Sequence, residues 1–115
     1  MSQATARFSA CNRLKRPDEF RRVFSSKKRS GDSSLLLIAR SNESDVARLG
    51  LAVPKKHIHR AVDRNRVKRL IRESFRTNKD QLRGLDVVVV IRKDPVDYGT
   101  GFGAKLEKHW KKISL

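Results

Sequence analysis

Six of the fifteen residues in Val62–Arg76 (VDRNRVKRLIRESFR) are Arg or Lys, and five of those six are Arg. A guanidinium is planar, permanently charged and able to hold a phosphate through two parallel N–H donors, so arginine at this density points to a polyanion. Placed at about 100° per residue, Val67, Leu70, Ile71, Ser74 and Phe75 share one arc of a helix. Asn65, Lys68, Arg69, Arg72 and Arg76 fall on the opposite arc, with Arg66 at its margin. Arg64 is the exception and falls within the apolar arc, near the helix start. The stretch reads as an amphipathic helix with an apolar stripe for a core and a positive back. A back that is merely solvated draws support from i,i+4 pairs of opposite sign. Arg69 has such a partner in Glu73, whereas Lys68–Arg72 and Arg72–Arg76 are like-charge pairs that destabilise the helix. An anionic partner offsets that repulsion.

Other residue types with chemical potential are less organised. The twelve acids are scattered, mostly at turns and helix starts, and none pairs with a histidine at a useful spacing. No catalytic residue is therefore assigned. His57 and His59 form an H-x-H pair that could ligate a metal on an extended chain. No cysteine or carboxylate stands close enough to complete a site, so the pair reads as part of a basic loop and no metal is assigned. Cys11 has no companion that would activate it. Phe20 and Phe24, four residues apart, face one side of a helix. Such rings are either core, the commoner fate of Phe, or a platform on which single-stranded bases stack. The pattern alone favours core.

The elements that position these residues fit one domain. A chain of 115 residues buries one modest core, and a net charge of +16 with pI ≈ 11.1 calls for a polyanionic partner. Nucleic acid is preferred to a membrane surface, because the longest apolar runs, Leu35–Ala39 and Val87–Ile91, cannot span a bilayer. The first residues lack the apolar core of a secretory signal, and a single cysteine suits a reducing compartment; both place the chain in the cytoplasm. Met1–Cys11 reads as a flexible tail ahead of a single nucleic-acid-binding domain over residues 12–115. Pro17, Asp18 and Glu19 start a helix that fades through Ser25–Gly31. Ser33–Arg40 and Ala47–Pro54 are strands joined by the turn Ser41–Asp45, an antiparallel hairpin. After the basic connection Lys55–Arg60 and the arginine-rich helix, Asn78–Gly84 leads into Leu85–Arg92, a strand buried on both faces. Asp94–Pro95 turns the chain into a closing helix, Ala104–Ile113, with Leu106, Trp110 and Ile113 inward; Gly99, Gly101 and Gly103 leave its start open. The order predicts an α+β fold.

Three stretches, NRLKRPDEFRRVF (Asn12–Phe24), RLGLAVPKK (Arg48–Lys56) and AVDRNRVKRLIRESFR (Ala61–Arg76), together resemble the protein component of bacterial ribonuclease P. The resemblance implies a subunit of an endoribonuclease whose RNA performs the metal-dependent cleavage of the 5′ leader from precursor transfer RNA. Magnesium would be required by that RNA, and no cofactor is assigned to the chain. The two partners implied are the catalytic RNA and the leader, with no membrane and no small-molecule substrate. The signature helix would face the catalytic RNA through Arg60, Arg64, Asn65, Arg66, Lys68, Arg69 and Arg72. A cleft between the first helix and the sheet would take the single-stranded leader through Phe20, Phe24, Leu36, Ile38, Lys55 and Lys56. That assignment reverses the core reading of the two rings. Many relatives carry an aromatic in the first strand, where LLLIA is wholly aliphatic. The implied fold is a single-domain sandwich of a small mixed β-sheet with helices, like the second domain of ribosomal protein S5. Its β-α-β crossover is left-handed, against the general rule for such connections. The alternative is a ribosomal-type structural RNA-binding protein, which has no reason to combine the Arg64–Glu73 signature with Phe20 and Phe24.

Overall fold

A computed structural model describes Arg13, Leu14 and residues 16–93 and 100–114. The expected tail Met1–Cys11, the Asp94–Pro95 turn and Gly99 lie outside the described residues. The order is α1 (Pro17–Phe24), β1 (Lys28–Gly31), β2 (Leu35–Ser41), β3 (Arg48–Ala52), α2 (Ala61–Thr77), β4 (Leu85–Ile91) and α3 (Thr100–Ile113). The four strands form one sheet in the order β1-β2-β4-β3. β4 lies antiparallel to β2 and parallel to β3, which makes the sheet mixed.

The α1 start signals work as the sequence predicts. Pro17 occupies the first turn, and the Glu19 carboxylate accepts the Arg16 backbone N–H at 3.0 Å. Two expectations about the following strands need correction. The chain does not idle through Ser25–Gly31: Lys28–Gly31 is β1, pairing antiparallel with β2 from Lys28↔Ala39 to Gly31↔Leu36. Four polar residues on a sheet edge carry no apolar alternation, so the pattern that reveals strands is missing there. Nor do β2 and β3 form a hairpin, because β4 lies between them. The Leu85–Ile91 run is apolar to both sides, so it takes the central place where both faces are covered, with Val87, Val88 and Val89 fully buried. The link from β2 to β3 crosses the start of β4. The Asn42 N–H donates to the Gly84 carbonyl at 2.9 Å, and its side-chain amide donates to Val46 O at 2.8 Å and to Asp86 at 2.9 Å. Gly84 sits there at φ 82°, a conformation that favours glycine.

The two sheet faces are covered unequally. Leu35, Leu37, Leu49, Val87, Val89 and Ile91 bury against Val67, Ile71 and Phe75 of α2 and against Phe102, Leu106, Trp110 and Ile113 of α3. Phe75 and Trp110 meet edge to face with centroids 6.0 Å apart, and the indole N–H donates to Ser74 Oγ at 2.8 Å. The inward residues expected of the closing helix are in place, although α3 starts earlier and takes in Gly101 and Gly103. On the other face, α1 is the one helix among the described residues that lies over the sheet, with Val23 packed with Leu14, Ile38 and Val88. The β3–α2–β4 unit carries the arginine-rich helix between two neighbouring parallel strands.

Candidate nucleic-acid interface

The cations of α2 point in three directions. Arg64, the one that broke the amphipathic pattern, turns back along the chain. Its guanidinium donates to the carbonyls of Ile58 at 3.0 Å and His59 at 2.8 Å, pinning the turn whose Ile58 is buried in the core. Asn65, Arg66 and Arg69 are exposed on the back of the helix, and Arg60, also exposed, lies 3.8 Å from Asp63. The expected Arg69–Glu73 pair does not form: Glu73 is hydrogen-bonded to Arg76 instead, which holds its carboxyl below the usual range. Arg69 therefore stays directed at solvent.

Lys68 and Arg72 form the third group. Both are half-buried and line a cleft of about 440 Å³ together with Arg13, Phe20, Gly50 and Leu51. Arg13 reaches this place because Arg13 and Leu14 run alongside the outer edge of β3. Arg13 bridges Leu49 in parallel, and the Leu14 N–H donates to the Leu49 carbonyl at 2.9 Å. Burial pushes the Arg72 guanidinium pKa down, and the Arg13 charge pushes it further the same way. Arg72 keeps its charge all the same, because that pKa starts far above neutrality. Three cations around one partly shielded space raise a positive potential that a phosphate would neutralise.

The aromatic side of the cleft comes from α1. Phe20 is half-buried over β3, while Phe24, one turn on, is 39% exposed. Leu36 is half-buried beside Val90 on the same sheet face. Ile38 needs correction as a contact residue: at 0% exposure it lies wholly within the α1–sheet packing, because α1 crosses directly above it. Lys55 and Lys56 are exposed in the turn that leads from β3 to α2. His57 is half-buried and His59 exposed, and among the described residues no group of three His, Cys, Asp or Glu gathers to hold a metal.

A carboxylate network fixes α1 over the sheet. Arg48 grips Asp86 with two bonds of 2.7 Å and reaches Glu19 of α1 at 2.8 Å. The hydrogen bonds to Asp86 raise the Arg48 pKa above its ordinary value. Arg48 lay in plain view in the sequence, but only the fold shows that its two acids lie 29 and 38 residues away. Arg13 and Gly50 were missed as well. A glycine inside an apolar strand does signal close approach of another group, which was the clue available for Gly50.

Positive charge gathered along one helix and one cleft, with an aromatic ring in the cleft wall, defines a nucleic-acid-binding protein. Comparison with known proteins narrows that class. The family described as Ribonuclease P matches residues 8–114. The ribonuclease P protein component of Thioalkalivibrio sulfidiphilus is 42% identical over 103 residues, covering 89% of this chain and 86% of the relative. That of Methylococcus capsulatus is 47% identical over 104 residues, covering 90% of this chain and 81% of the relative. Among solved structures, the Thermotoga maritima ribonuclease P protein superposes with TM-score 0.71 at 32% identity, over 86% of this chain and 96% of that one. A Staphylococcus aureus ribonuclease P protein mutant gives 0.79 at 28% identity, over 88% and 86%. The chain belongs to the bacterial ribonuclease P protein family, the protein subunit of an endoribonuclease of transfer-RNA processing.

Proposed function

We propose that the chain assists the catalytic RNA of ribonuclease P in removing the 5′ leader of precursor transfer RNA. The exposed back of α2, with Arg60, Asn65, Arg66 and Arg69, faces the catalytic RNA, and Lys68 and Arg72 extend that surface into the cleft. The α1 side of the sheet, with Phe20, Phe24 and Leu36 and the nearby Lys55 and Lys56, receives the leader. Ring faces suit single-stranded bases of any sequence, since every base has a π-face, and the cations suit the backbone between them. Hydrolysis is left to the RNA and its magnesium, and the protein contributes binding and placement. The left-handed sense of the β3–α2–β4 crossover belongs to the same reading, as does work in the cytoplasm.

The observation that carries the proposal is the meeting of Phe20 with Lys68, Arg72 and Arg13 around one cleft. Reconstituted holoenzyme tests it, with precursor and mature transfer RNA bound side by side. Phe20→Ala is expected to weaken the precursor complex by about 1–3 kcal/mol, one base stack, and to leave the mature complex nearly unchanged. Equal loss for both RNAs would end the leader assignment. Authentic 5′ cleavage by the purified chain without its RNA would end the division of labour.

A further inference from the structure

We infer that Gly50 is a positioning residue for leader recognition: it is the seat on which the Phe20 ring stands. Gly50 lies in β3 opposite Val88, on the sheet face that α1 covers. Its φ is not in the left-handed region, which among the described glycines belongs to Gly84, so the position asks for space and not for glycine's backbone freedom. A Cβ built at Gly50 would lie 2.6 Å from Phe20 Cε1, 2.7 Å from Cζ and 3.2 Å from Leu14 Cδ1. Carbon atoms rest at about 3.5–4.0 Å, so no side chain fits there while the ring stays in place. Cε1 and Cζ belong to the far end of the ring, so that end of Phe20 closes over the strand at Gly50, and the residue lines the cleft beside Lys68 and Arg72.

The helix that carries the ring has little freedom to rise and make room. Val23 is fully buried beneath it, and Glu19 is held by Arg48 at 2.8 Å. An added methyl is relieved most cheaply by swinging the ring out of the wall. The absence of one side chain thus sets how far the aromatic surface stands from the cations that line the cleft. This inference rests on the proposed role of Phe20, and its test separates the two.

The test is a double-variant cycle in reconstituted holoenzyme, reading the ratio of affinities for precursor and mature transfer RNA. Phe20→Ala, Gly50→Ala and the double variant are compared, each with a melting curve of the free protein. Gly50→Ala is expected to lower the precursor preference by roughly 5-fold or more, the lower end of what a lost base stack costs. The double variant is expected to match Phe20→Ala alone, since the ring that the methyl displaces is already gone. Independent, multiplying losses would overturn the seat. So would an unchanged preference in Gly50→Ala alongside a reduced one in Phe20→Ala. An unchanged preference in Phe20→Ala would instead remove the leader reading itself. Should Gly50→Ala fail to fold, recovery of the fold in the double variant supports the ring as the group displaced, and failure of both overturns it.

Discussion

On one face of the sheet, two helices bring Phe75, Phe102, Leu106 and Trp110 down onto β2 and β4 and close the core. On the other, the eight residues of α1 cover Ile38 and Val88 and leave Phe20, Leu36 and Val90 only partly buried. The first face holds apolar surface that is buried within the fold. The second keeps apolar surface within reach of solvent, beside cations on α2 and at the β3 edge. Exposed apolar area is a cost to a free protein and an asset to one that receives a partner there. The difference between the faces separates residues whose loss should unfold the chain from those whose loss should spare the fold and impair binding.

The largest expected effect lies on the closed face. Trp110→Ala removes a fully buried indole, its edge-to-face packing with Phe75 and its hydrogen bond to Ser74. The loss should be about 3–5 kcal/mol of folding stability, read from urea or thermal unfolding. A loss below about 1 kcal/mol would mean that the closed face is not the main core. Phe24→Ala is the counterpart on the open face. With the ring 39% exposed, the unfolding midpoint should barely move. Precursor binding by the holoenzyme should weaken by up to the roughly 1–3 kcal/mol of one stacked base. A large stability loss would place Phe24 with the core.

The two faces also differ in how far they could be read from the sequence. The closed face was legible because its residues repeat: Val67, Ile71 and Phe75 at helical spacing, Leu106, Trp110 and Ile113 likewise, and the valine run of β4. The arginine-rich back of α2 was legible for the same reason. The open face depends on packing between distant segments, which periodicity does not encode. β1 lacks an apolar pattern, and its partner β2 gives no sign of which neighbours flank it. The insertion of β4 between β2 and β3 is a fact of topology, and two strands joined by a short turn read as a hairpin whether or not they pair. Ile38 looks like its neighbour Leu36 in sequence, yet the fold sends Ile38 beneath α1 and leaves Leu36 half-covered. Arg64 breaks the helical pattern because it serves the turn before the helix.

Charge on the helix back should have a smaller effect than Trp110 on folding and a clear one on assembly. Arg66→Ala with Arg69→Ala removes two exposed cations from α2. Each phosphate that is no longer neutralised reduces the slope of log affinity against log salt by about 0.7–0.9, so the pair should flatten it by up to about 1.4–1.8. Titrations of the catalytic RNA at several salt concentrations measure it. An unchanged slope would show that the back of α2 faces only water.

The smallest effect expected is an acid-side loss of stability at the far end of the closed face, where α3 meets β1. His109 is buried there, with Nδ1 2.6 Å from Ser30 Oγ and Nε2 3.4 Å from Asp32. Burial pushes the Asp32 carboxyl up. The Ser34 amide and hydroxyl, the Leu35 amide and His109 together outweigh it and hold the carboxyl well below the usual carboxylate range. A carboxylate so depressed stabilises the folded chain fully above its unfolded value, about 4, and the contribution disappears as pH falls below that point. Asp32→Asn keeps the shape and removes the charge. The gap between parent and variant should be constant near neutral pH and close on acidification below about pH 4. It should not exceed about 1 kcal/mol, because a third of the Asp32 side chain is open to screening solvent. Urea unfolding of both chains across the acid range reads it directly. A gap that persists at low pH would show that Asp32 anchors α3 through shape and hydrogen bonding alone, with no part played by its charge.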